Sequence, residues 1–173
     1  MVAGRGSAVE DPVGKDIMAW VGQEKLNKAI VAELVSDASL VTLTEHSATV
    51  LHIGRDTPLV KGRTPFLGVR VASSVPLVGV EVTKLQNATV EFRAIGEGAA
   101  GELTAIKIAD RLEELLHAAD NNRSYWDPSD TAVRCYGSRF LSRAGQMYDE
   151  DTDTWEVLVR AALIWIGVPC PVA

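Results

Sequence analysis

The densest cluster of groups able to do chemistry lies late in the chain, where Asp149, Glu150, Asp151 and Asp153 crowd together. Acidic oxygens at alternate positions resemble the start of a calcium loop. The remainder of that loop is wrong. Thr154 stands where the sharp turn needs glycine, and Arg160 stands where a bidentate glutamate would complete the shell. No metal is expected here, and a solvated hairpin turn or a docking surface fits the run better. His46, His52 and His117 offer no local catalytic signature. A nucleophile needs Ser or Cys beside a His with an orienting acid, and the Gly-x-Ser-x-Gly elbow is absent. His117 ends a helix, where a cation suits the dipole. Cys135 sits in an apolar run and Cys170 between two prolines. Two thiols are too few for a disulfide framework, and no His or Cys stands at ligand spacing for zinc. The glycine-rich link Gly96 to Gly101 lacks the Lys and Ser/Thr of a phosphate loop. Its expected task is to free the chain for the next helix. No catalytic residue and no cofactor is expected. The alternative is a small enzyme with an acidic site that uses His46 or His52.

Binding chemistry is better represented. Arg55, Lys61 and Arg63 gather around Asp56 in a polar stretch, 55 to 64, that reads as an exposed loop. Such a loop complements an acidic patch on a partner or on a second copy. The Asp149, Glu150, Asp151, Asp153 turn is the obvious mate for a head-to-tail pairing. Tyr125, Trp126, Tyr148, Trp155 and Trp165 cluster in the last third. Trp155 and Trp165 read as core, whereas Trp126, in a polar loop near Pro128, reads as a contact residue.

These groups need a frame, and hydrophobic periodicity supplies one. Residues 1–15 carry Gly4, Gly6, Ser7, Pro12 and Gly14 and read as a flexible arm; residues 16–173 read as a single α+β domain. Leu26, Ile30 and Leu34, four apart, predict a helix over Gln23–Ser36, with a further turn possible over Ile17–Val21. Leu40 to Leu43 is apolar and β-branched, and Thr49 to Ile53 reads as a short strand. Pro65 to Ala72 is a strand, broken at Ser73 to Gly79. Val80 to Ile95 alternates, with Ala88, Val90, Phe92 and Ala94 on one face, and pairs antiparallel with the strand before it. A second helix spans Glu102–Ala119 with Leu103, Ile106, Ala109, Leu112, Leu115 and Leu116 inward. Ala132–Tyr136 and Arg139–Gln146 read as two strands. Trp155 to Ile166 reads as the longest strand, apolar on both faces towards its end. The order helix, strands, helix, strands predicts an antiparallel sheet with two α-helices packed on one face.

Composition narrows the classes. The 173 residues are 47% hydrophobic and 23% charged, a balance that suits one globular unit. The formal net charge of −6 opposes a grip on nucleic-acid phosphates. No apolar run is long enough to span a membrane, and the N-terminus lacks the apolar middle of a signal peptide. The chain is expected to remain in a reducing cytoplasm.

The element order over about residues 20 to 167 resembles the tail terminator proteins of long-tailed bacteriophages. The closing stretch YDEDTDTWEVLVRAALIWI, an acidic turn leading into a Trp-containing last strand, is the nearest match. The resemblance implies a virion structural protein at the head-proximal end of the tail, assembled in the host cytoplasm. It implies a homo-oligomeric, usually hexameric ring that caps the tail tube, ends its polymerisation and presents a surface to the head–tail connector. The implied partners are itself, the tail tube protein and the connector, with DNA passing through unread. The alternative within the same class is another head–tail joining protein, a stopper or tail-completion protein, marked by a sheet closed into a barrel. The resemblance carries no catalytic residues.

Overall fold

In this computed structural model the described residues are 13–56, 64–77, 85–117 and 126–167, with side chains described from Gly22 onward. Most of the predicted arm, and Lys61, Arg63, Tyr125 and Cys170, lie outside them. Among the described residues three helices and six strands make an α+β fold: α1 Val13–Ser36, α2 Ala38–Leu43, β1 Ile53–Arg55, β2 Phe66–Pro76, β3 Gln86–Glu97, α3 Gly101–Leu116, β4 Val133–Arg143, β5 Met147–Asp149 and β6 Thr154–Gly167. The strands form one open sheet in the order β1-β2-β3-β6-β4, with β5 also paired to β6. Every pairing is antiparallel except β1 with β2, which makes the sheet mixed. Because β3 occupies the other side of β6 along nearly its full length, β5 prolongs β4 along one edge.

Period-two alternation divides the sheet into two faces. Ala88, Val90, Phe92 and Ala94 of β3 and Val157, Val159, Ala161, Leu163 and Trp165 of β6 are all buried on the helix side. α1 and α3 cover that side. From α1 come Leu26, Ala29, Ile30 and Leu34, the stripe expected from their spacing. The helix itself starts earlier than predicted, at Val13, as one piece. From α3 come Ala105, Ile108, Ala109, Leu112 and Leu116. Each large side chain buried this way stabilises the fold by about 1.5–3 kcal/mol. Leu103 departs from expectation: it is 56% exposed, since the stripe through 101, 105, 108 and 112 puts position 103 on the opposite side of the helix.

Local chemistry explains the other differences. Residues 38–43 form a helix despite their branched side chains because Asp37 caps it, accepting a hydrogen bond from the Leu40 amide at 2.8 Å. β2 runs through Ser73 to Pro76 instead of breaking, absorbing a register shift between Val71 and Ser73. β4 is one strand where two were expected, with shifts at Cys135/Gly137 and Phe140/Ser142 that interrupt its alternation. The glycine link also has a sharper task than expected. A Cβ on Gly96 would lie 2.2 Å from the Gly101 carbonyl oxygen. The end of β3 and the start of α3 therefore meet backbone to backbone, and only two missing side chains permit it.

Candidate assembly surface

The sheet face turned away from the helices carries two ion-pair rows. In the first, Glu91 of β3 stands between Arg70 of β2 and Arg160 of β6. It accepts hydrogen bonds from both, the Arg160 Nε bond being 2.9 Å. Burial alone would raise the Glu91 carboxyl, but the two guanidinium groups outweigh it and hold it below its ordinary range. In the second row, Arg93 donates to Glu156 through two bonds of 2.9 and 2.6 Å, and to Asp56 at 2.9 Å. The Glu156 bonds, against the opposing effect of burial, hold Arg93 firmly charged. Sequence reading missed both rows, because Arg93 and Glu156 are far apart in the chain. The alternation of sign on the outward positions 91, 93, 156 and 160 was the available signal. Towards the other end the same face becomes apolar, with Val75 and Ile164 exposed on either side of Asn87 in one cross-strand row.

The predicted chemical groups are placed as follows. Asp149, Glu150, Asp151 and Asp153 form the exposed tip of the β5–β6 hairpin. Asp153 takes a left-handed φ of 53°, and its carboxylate accepts from the Tyr148 hydroxyl at 2.9 Å. The Asp149 carboxylate accepts from the Asp151 amide at 3.0 Å. Arg55, at the end of β1, is exposed at the opposite edge of the sheet. Within one chain Arg55 and the acidic turn are thus held apart. The contact role expected of Trp126 is not supported by its placement: the ring is buried and packs edge-on against Phe92, centroids 6.1 Å apart. A polar neighbourhood in sequence did not reveal that the Trp126 ring itself packs into the core.

The histidines serve the loop that leads into β1. His46 Nδ1 accepts hydrogen bonds from the backbone amides of His52 and Ile53, at 3.1 and 2.9 Å. Burial, with the neighbouring His52, lowers its pKa. His52 Nδ1 bonds to the Thr44 carbonyl at 2.5 Å. Neither ring meets an acid in these bonds. Burial, reinforced by Asp127 and Asp130, pushes the Cys135 thiol up to about 12, away from nucleophilic use. Among the described residues no group of three or more His, Cys, Asp or Glu is placed to hold a metal, and no helix is long and apolar enough to cross a membrane.

At the β1 edge a groove of about 390 Å³ lies between α1 and β1. Val31, Ala32 and Val35 line it, with Lys28 and Arg55 among its polar residues. At the β4–β5 edge Leu141, Met147 and Tyr148 are exposed beside the acidic turn. No family model and no curated protein matches the sequence. The fold is similar to that of a chain in the virion of a native gene transfer agent (GTA) particle, with a TM-score of 0.58 and 19% identity over 82% of this chain and 95% of that one.

Proposed function

We propose that this chain is a structural protein of a phage-like virion and, within it, a tail terminator. A homo-oligomeric ring, hexameric by the family resemblance, caps the tail tube at its head-proximal end. It stops tube growth and offers the surface to which the head connector attaches. The observation that carries the proposal is the shared fold, which takes in nearly the whole of a chain solved inside a virion. The charge supports it: a net −6, with Arg70, Arg93 and Arg160 of the open sheet face tied up in ion pairs, suits a subunit that DNA passes without being held. The stopper alternative calls for a sheet closed into a barrel, and this sheet is open. The enzyme alternative calls for His46 or His52 against an acid, whereas both rings bond to backbone.

The test is deletion of the coding sequence from the genome that produces the particle, followed by electron microscopy of the tails. Over-long tubes without heads are expected. Tails of normal length joined to heads would remove the tail terminator reading.

A further inference from the structure

We propose that the groove between α1 and β1 receives the β4–β5 edge of a second copy of this chain, so that copies join head to tail. The proposal rests on the self-assembly contained in the reading above and assigns the surfaces that perform it. Two observations carry it. The two surfaces stand at opposite ends of the strand order, so one subunit can use both at once, each with a different neighbour. That is the geometry of a heterologous contact, which closes into a ring when the rotation between neighbours divides a full turn.

The surfaces also match in chemistry. The groove is walled by Val31, Ala32 and Val35, and the opposite edge exposes Leu141 (39%), Met147 (49%) and Tyr148 (46%). Large apolar side chains at such exposure are unusual beside a strand edge, which folded chains ordinarily protect with charge. Lys28, Arg55 and one carboxylate, Glu24, which pairs with Lys28, border the groove and leave Arg55 as its net positive charge, while the stretch from Tyr148 to Glu156 contains four aspartates and glutamates at the tip and no basic residue. Opposite potentials steer the approach and fix the register.

The experiment uses the full chain carrying Cys170→Ser, with Ala32→Cys on the groove and Met147→Cys on the far edge, alone and together, oxidised and run on a non-reducing gel. The buried, high-pKa Cys135 thiol stays silent. The double variant is expected to give a ladder of dimers, trimers and larger species. The two single variants mixed are expected to stop at a dimer. Adding Arg55→Glu is expected to cut ladder yield several-fold, and Glu150→Arg on top of it to restore the yield. A double variant without a ladder, or Met147→Cys alone cross-linking as well as the pair, overturns the proposal. The two hypotheses fail separately: a ladder alongside normal tails in the deletion keeps the interlock and removes the tail role, and over-long tails without a ladder do the reverse.

Discussion

Trp165 and Ile164 are neighbours on β6, yet they belong to different environments. Trp165 points into the helix-covered face, 1% exposed, with its indole N–H donated to Ser74 Oγ at 3.2 Å and its ring close to Gly22. Ile164 points the other way and is 37% exposed. The same division runs along β3 and β6. The covered face is filled with apolar groups, and the open face holds the Arg70–Glu91–Arg160 and Asp56–Arg93–Glu156 rows at one end and bare apolar side chains at the other. Burial explains the first face completely. The second is polar where it satisfies itself and apolar where Val75 and Ile164 stand exposed, so the two ends of one face differ in chemistry.

The contrast can be broken in order of size. Trp165→Ala is expected to cost about 3–5 kcal/mol in chemical denaturation, whereas Ile164→Ala should cost under about 1 kcal/mol in the isolated chain. Equal losses at the two positions would erase the distinction between faces. Gly96→Ala should cost about 1–3 kcal/mol or more, because its Cβ would meet the Gly101 backbone; an unchanged midpoint would show that the junction yields. Glu91→Gln should cost about 1 kcal/mol, reduced from the full worth of two charged bonds because Arg70 and Arg160 reach solvent. The same variant should alter the acid limb of stability. The Glu91 pKa is depressed on folding, so its contribution is complete above the ordinary value of 4.5 and is lost as pH falls through the lower folded value. Wild type should therefore lose stability more steeply than Glu91→Gln below that point, and coincident curves would dismiss the row as a stabilising device. Lys28→Ala, which removes only the exposed Glu24 pair at 3.1 Å, should cost about 0.3–0.5 kcal/mol.

How much of this was legible in the sequence depended on whether the determining interactions were local. Alternation at 88–94 and 155–165, and the four-residue spacing of Leu26, Ile30 and Leu34, are local patterns, and the elements they predict are present. The turn at 149–153 was equally plain from its composition. Where an extra residue enters a strand, as near Ala72 and Leu141, the period slips and one strand reads as a break or as two. Asp37 shows the converse: a single capping carboxylate, further tied to Arg111 at 2.8 Å, turns a β-branched run into a helix. Its own pKa is held down by that guanidinium and the Leu40 amide, against the opposing pull of burial. The face rows, the groove and the placement of Trp126 all depend on strand order, which periodicity leaves open.

The close meeting of Gly96 with Gly101 has a use beyond packing. Two positions separated by four residues, at the end of a strand and the start of a helix, admit one amino acid each as long as this junction keeps its shape. Most of the core accepts any side chain of suitable volume, so its letters drift while the fold persists. The glycine pair cannot drift in that way. Its two positions are held by backbone contact, where the core positions are held by volume.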